Sequence, residues 1–263
     1  MASPRQRAAR WRYVQYAVLV AALVAIFFLA DWKQLQRAFF DWDVVKAQFP
    51  DVITVALKNT IIYTACGFTF GLALGLVLAL MRLSSVGPYR WIATGVIELF
   101  RGLPALVVFI ALSVGFSLAF PAYEIPFGNL GIVTLALGLV GGAYMAETIR
   151  AGIQAVPKGQ MEAARSLGMS HSRAMISVVV PQAFRIILPP LTNELILLTK
   201  DSSLVYILGL SLSQYELTKF GREGMNTSSN LTPIIVIGLC YLLITVPLSI
   251  VVRRMESRAE RAR

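Results

Sequence analysis

The sequence predicts an all-α integral membrane protein with six membrane-spanning helices. Three observations carry that expectation. Charged residues make up only 14% of the 263 positions, against about 25% in an ordinary soluble domain. Apolar residues reach 57%, and the mean hydropathy is +0.68. The charge deficit is concentrated in uncharged runs, and a run of about 18 or more such residues can cross the hydrocarbon layer as a helix.

The elements follow in chain order. Residues 1–13 form a basic tail with Arg5, Arg7, Arg10 and Arg12. The first span covers 14–30. A basic start before an apolar run also describes a cleaved signal. Phe28 stands where a small residue would precede a cut after Ala30, so the span is expected to be retained. Residues 31–51 hold Trp32, Phe39, Phe40, Trp42 and Phe49. They read either as a helix at the outer interface, where Trp concentrates, or as an ordered loop. The second span is expected over about 52–81, the third over 91–120 and the fourth over 130–149. The fifth, over 178–212, is irregular because Pro189-Pro190 interrupts it. The sixth covers 233–252, and residues 255–263 form a second basic tail.

Two glycine series lie inside these spans. Gly67, Gly71 and Gly75 share one face of the second, and Gly138 and Gly142 share one face of the fourth. Small residues four apart let helices approach closely. Packing within the subunit is the expected use, and contact with a second copy is the alternative.

Charge gives the orientation. Six spans put both termini on one side. Both are Arg-rich, so both are expected in the cytoplasm. The loop around Arg82 and Arg90 then faces inward, as does the longer loop 150–177 with Lys158, Arg165 and Arg173. The segments 31–51, 121–129 and 213–232 face outward. The net charge of +10 is thus a topology signal. No basic face interleaved with aromatics supports nucleic-acid binding. Cys66 and Cys240 sit in apolar runs and His171 is the only histidine, so neither a disulfide framework nor a metal site is expected.

The loop 157–177 is too polar to enter lipid. Gln160 to Leu167 are good helix formers apart from Ser166. Gly168 can end that helix in the left-handed conformation, and Ser170 can cap the next. A short helix projecting from a bundle in this way is suited to docking on another protein. Its sequence reads Glu162-Ala163-Ala164, three residues, Gly168, nine residues, then Val178-Val179-Val180-Pro181. This resembles the EAA motif of binding-protein-dependent ABC importer permeases: EAA, three residues, Gly, nine residues, Ile-x-Leu-Pro. Every spacing is kept, with Val178 and Val180 in place of Ile and Leu. Residues 98–104 (ELFRGLP), 144–152 (YMAETIRAG), 188–190 (LPP) and 200–204 (KDSSL) are similar to the polar amino-acid branch, which takes glutamine, glutamate, histidine, arginine or opines.

The resemblance covers about 52–254 and implies a type I ABC importer permease fold of five core helices, to which the first span is an addition. It implies that Glu162, Ala163, Ala164 and Gly168 form the core of a coupling helix that inserts into an ATPase subunit. It implies ABC ATPase subunits, an extracytoplasmic solute-binding protein and a second permease, identical or sister, as partners within the lipid bilayer. The location would be the bacterial inner (plasma) membrane. ATP and Mg would bind the partner ATPase, with no cofactor on this chain. The sequence agrees in lacking the G-x-x-x-x-G-K-[ST] loop that cradles nucleotide phosphates.

The fifth span is the most polar. Thr192, Thr199 and Ser203 share one face at about 100° per residue. Asn193 and Lys200 share the next, and Glu194 and Asp201 the one beyond. A charge at the bilayer centre costs roughly 2.5–3.5 kcal/mol even on insertion scales. Such an arc therefore lines a water-filled pathway or pairs with neighbours. Asn193, Glu194, Lys200, Asp201 and Ser203 are pathway candidates, joined by Asn59 and Thr60 in the outer part of the second span. Lys200 and Asp201 read equally as a buried ion pair. Glu98 with Arg101, and Glu147 with Arg150, are three apart on helices and read as structural charges near the cytoplasmic gate.

Two rival readings remain. A membrane enzyme using Glu194, Lys200 and Asp201 would turn over without an ATPase. An ion-coupled secondary transporter would survive ATP depletion but not collapse of the ion gradient. Neither explains the docking helix, and no nucleophile–base constellation is legible. Which solute moves is not encoded legibly.

Overall fold

The computed structural model describes residues 4–261, and every regular element among them is helical. Residues 1–3 and 262–263, and the side chains of 4–10 and 258–261, lie outside the described residues. The ends of both basic tails fall there, including the side chains of Arg5, Arg7, Arg10, Arg258 and Arg261. Eleven elements suffice among the described residues: α1 (Pro4–Leu29), α2 (Trp32–Phe39), α3 (Trp42–Ala47), α4 (Val52–Leu83), α5 (Gly87–Gly102), α6 (Ala105–Ala119), α7 (Asn129–Gln154), α8 (Lys158–Ser166), α9 (His171–Ile207), α10 (Leu217–Ser228) and α11 (Thr232–Arg261). Helices α1, α4, α7, α9 and α11 are long and apolar enough to cross a membrane.

Two expectations about the spans are corrected. The third is not one helix. α5 and α6 meet at 105°. Leu103 precedes Pro104, whose ring pushes the preceding residue out of the helical region. Leu103 sits accordingly at φ −91, ψ 137. The fifth span, in contrast, is not interrupted where expected. Its helix passes through Pro189 and Pro190 without a break and runs to Asp201, before a final 3-10 turn. Each proline removes one donor and leaves the carbonyl four residues earlier, Arg185 or Ile186, without its helix bond, but contacts with α7 and α11 hold the helix. The span begins at His171, so it grows directly out of the 157–177 segment.

The centre of the molecule is the seam between α4 and α7. Gly71 and Gly75 face Gly138 and Gly142 so closely that a Cβ on Gly75 would lie 2.9 Å from the Gly142 carbonyl oxygen. A Cβ on Gly142 would lie 3.0 Å from that of Gly71. Leu137 packs over Gly67. The two glycine series therefore serve contact within one chain. Helix α9 seats on the other side of α7, with Leu198 over Gly141 and Ile187 over Gly152. Around this seam Tyr63, Phe109, Val133, Met145 and Val205 complete the main core.

The segment 31–51 forms two short helices, α2 and α3, in place of a continuous loop. Asp31 and Asp41 cap α2 and α3 by accepting backbone N–H groups. The pair is tied to the start of α11: Leu231 N donates to Ala38 O at 2.8 Å, Asn230 Nδ2 to Arg37 O at 2.6 Å, and Asp41 N to Thr232 Oγ1 at 3.0 Å.

Candidate functional site

Two regions hold the candidate residues, one at each end of the bundle. At the end holding the 157–177 loop, α8 starts behind Pro157 and stops at Gly168. Met169 N donates to Ala164 O at 3.2 Å and Gly168 N to Arg165 O at 3.0 Å. These two bonds form a Schellman motif, which requires a left-handed residue between them. Gly168 supplies it with φ +83. Ser170 Oγ then accepts from Arg173 N at 3.3 Å and opens α9. Gln182 Nε2 donates to Gln160 Oε1 at 3.2 Å and holds α8 against α9.

The helix presents two faces. Met161 and Ala164 turn inward, Ala164 only 5% exposed. Glu162 and Ala163 face out with Gly168. Leu167 is 85% exposed at the tip, a large apolar side chain offered where nothing among the described residues covers it. Leu167 was not singled out from sequence. Its signal was an apolar residue directly before the terminating glycine of a solvent-facing helix. Nearby, the Glu147 carboxylate is shared by Arg82 of α4, at 2.5 Å, and Arg150 of its own helix. Arg101 lies 5.5 Å from the Tyr144 ring centre. These charges lock neighbouring helices together, as their spacing suggested.

At the other end the polar arc of α9 divides. Thr199 is 1% exposed, and its hydroxyl donates to Leu195 O at 2.8 Å. Ser202 is fully buried and bonds to Thr199 O at 2.7 Å. Asn193 and Lys200 are exposed, and Glu194, Asp201 and Ser203 are half-buried. Among the described residues no ion pair joins Lys200 to Asp201. The ion-pair reading is thereby corrected: adjacent residues on a helix point about 100° apart, too far to pair here. The side chains left open to a solute are Asn193, Glu194, Lys200, Asp201 and Ser203.

Asn59 and Thr60 do something else. Asn59 Nδ2 donates to the carbonyls of Ser213 at 2.8 Å and Tyr215 at 3.0 Å. Thr60 is fully buried, donates to Ala56 O at 3.0 Å and accepts from Leu217 N at 3.1 Å. Tyr63 adds a bond to Gln214 O at 2.8 Å. All three clamp the segment 213–217 onto α4. Thr60 is fully buried with its hydroxyl engaged on backbone groups, so within one protomer it lines no pathway, whereas Asn59 is half-buried and keeps its Oδ1.

The clamp ends at Glu216, which sequence reasoning also missed. Glu216 is fully buried at the start of α10. Its carboxylate accepts from Thr218 N, from Lys219 N at 2.7 Å and from Tyr241 Oη at 3.2 Å. Burial pushes its pKa up to about 7, against the pull of those donors.

Residues 71–261 match the family described as binding-protein-dependent transport system inner membrane component. The chain belongs to that family. It is 37% identical over 225 residues to the L-cystine transport system permease protein TcyB of Bacillus subtilis (strain 168), covering 84% of this chain and 92% of that one. It is 36% identical over 224 residues to the arginine transport system permease protein ArgU of Corynebacterium glutamicum, covering 81% and 69%. Among solved structures, a chain of an amino acid ABC transporter determined with histidines superposes with TM-score 0.73 at 36% identity, covering 83% of this chain and 98% of that one. This permease-family chain is thus an inner-membrane transport component with the architecture of amino-acid ABC permeases.

Proposed function

We propose that this chain is one of the two membrane-spanning domains of an ATP-driven importer for a polar amino acid. Its 157–177 segment is the coupling element, ATP and Mg act on a separate ATPase subunit, and an extracytoplasmic solute-binding protein delivers the substrate. Both termini face the cytoplasm. The observation that carries this reading is the exposed α8 tip. A rigid helix with a Schellman terminus stands between two spans, offers Glu162, Ala163 and Leu167 to solvent, and belongs to a chain with no nucleotide-binding loop of its own.

The mechanism follows from how the tip is connected. α9 begins four residues after Leu167, so a push on α8 is transmitted into the span that carries Glu194, Lys200 and Asp201. ATPase closure would move α8, tilt α9 against the α7 seam and open the polar arc outward. The solute's ammonium group would meet Glu194 or Asp201 and its carboxylate Lys200. Hydrolysis would reverse the motion and release it inward.

The test is uptake in proteoliposomes holding the permease with its co-purifying ATPase and binding protein, with labelled glutamate, glutamine, arginine, histidine and cystine. ATP-dependent uptake of one of them is expected. Absence of any associated ATPase would overturn the reading. Gly168→Asp is expected to leave the chain in the membrane but abolish coupled uptake, because the left-handed turn and the tip are both disturbed. Normal uptake by that variant would remove α8 from the coupling role.

A further inference from the structure

Helix α2 joins the end of one membrane-spanning helix to the start of another. We propose that it is a strap lying in the lipid–water interface, with Trp32 and Leu35 at the headgroup ends of the acyl chains and Lys33 and Arg37 on the phosphates of anionic phospholipids. The inference does not depend on the transport reading, because it concerns only the contact between this chain and lipid.

The depth follows from how the two ends of α2 are fastened. At its start, Trp32 Nε1 donates to Phe27 O at 2.7 Å, and the two rings lie 5.3 Å apart. Phe27 belongs to the last turn of the span that ends at Leu29. At its other end, the Arg37 carbonyl accepts from Asn230 Nδ2 at 2.6 Å and the Ala38 carbonyl from Leu231 N at 2.8 Å. The last four carbonyls of a helix have no partner inside it, and two of them are used here to fix α2. The span of α11 begins at Thr232, one residue after Leu231. Eight residues of helix measure about 12 Å. Fastened at the ends of two spans, that length runs along the membrane surface, neither through the bilayer nor away from it.

The two faces of α2 suit that place. Trp32 and Leu35 share one face, and Lys33 and Arg37 share another about 150° away, at about 100° per residue. Phe39 continues the apolar face and is half-buried against the chain, while Trp32 is 52% and Leu35 38% exposed. Uncovered apolar side chains at this depth meet lipid, and Trp concentrates there. On the polar face, neither Lys33 nor Arg37 forms an ion pair among the described residues. The nearest carboxylates in the chain are committed to capping: Asp31 Oδ1 accepts from Gln34 N, and Asp41 Oδ1 from Asp43 N and Val44 N. Two open cations above an apolar face are complemented by the phosphate layer of an anionic membrane.

The test is fluorescence quenching of the full chain in vesicles of phosphatidylcholine and phosphatidylglycerol. Trp32 is kept, and Trp11, Trp42 and Trp91, the other three tryptophans, are changed to Phe. All three are exposed, so the core is left alone. Lipid brominated near the headgroup end of its acyl chains is expected to quench Trp32 at least about twofold more than lipid brominated near the chain terminus. Quenching by aqueous iodide with none by brominated lipid would place Trp32 in water. Shielding from both would place it under protein, either a second copy or a partner. Each of these results would overturn the proposal. The cations are tested by brominating one lipid at a time. Phosphatidylglycerol is expected to compete for the position beside Trp32 at least about fivefold better than phosphatidylcholine, one basic residue's worth of attraction to an anionic surface. Lys33→Gln combined with Arg37→Gln should bring the two lipids to parity, and both residues are exposed, so the variant should fold. Parity before the substitutions, or a preference unchanged after them, would equally overturn the proposal.

Discussion

Helices α1 and α7 look alike by hydropathy, and the fold treats them oppositely. In the most apolar window of α7, 61% of residues are buried inside the protein, whereas in that of α1 none are. The difference lies in side-chain size. α7 carries Gly131, Gly138, Gly141, Gly142 and Gly152, each placed where a neighbouring helix or loop arrives. α1 presents Tyr13, Tyr16, Leu19, Leu23, Phe27 and Phe28 around its whole circumference. Lipid is as apolar as leucine, so hydropathy alone gives no drive for helices to associate. Close packing through small residues does. Hydropathy thus assigned both helices to the membrane, and only the small-residue pattern assigned α7 to the core.

Substitutions can break or sharpen that contrast. The largest effect is expected at Gly75→Val, where the new side chain would meet the Gly142 backbone rather than a movable side chain. Overpacking against backbone should destabilise by about 3 kcal/mol or more, read as loss of properly folded protein after membrane extraction. Gly152→Ala should cost somewhat less, about 2–3 kcal/mol. Its Cβ would fall 2.1 Å from Cγ1 of the buried Ile187, a β-branched side chain stiff at χ1 in a helix, while alanine regains part of the loss through helix propensity.

Glu216 tests a third kind of environment, a buried carboxylate at the start of α10. Its folded pKa of about 7 stands above the 4.5 of an unperturbed glutamate, so the folded state holds the proton more tightly than the unfolded one. The associated stability is fully present below about pH 4.5 and is lost as pH rises through about 7. Thermal unfolding of the detergent-purified chain should therefore show a fall in Tm over that window. Glu216→Gln should flatten the fall, and an unchanged slope would show that Glu216 does not titrate there. The smallest effect is expected at Val20→Ala in α1. Val20 is 57% exposed within the chain, so stability should change by under about 0.5 kcal/mol. A larger loss would show that α1 packs against a partner.

The helix–turn–helix of the 157–177 segment was legible because its signals are local. A helix end, a left-handed glycine and a serine cap lie within five residues, from Ser166 to Ser170, and each is a backbone requirement that one residue type meets. The polar arc was only half legible. Helical periodicity placed its residues on faces correctly, but it could not say which face α7 would cover. Thr199 and Ser202 went inward, while Asn193 and Lys200 stayed open. Thr60, which is fully buried, misled for the same reason. A polar residue in a span reads as functional by default, and the backbone groups that use it lie about 155 positions away.

By itself, then, the sequence determined an all-helical membrane chain, the approximate position of most of its spans, the short helix α8 and the glycine faces. All of these rest on composition or on periodicities within one helix. The tertiary structure decided that the third span bends at Leu103-Pro104, that α9 passes through two prolines intact, and that Glu216 is buried. The reason is physical. A proline bends a helix or is absorbed according to what packs around it, and a carboxylate is exposed or buried according to which distant donors reach it. Neither outcome is a property of the residue's own neighbours in the chain.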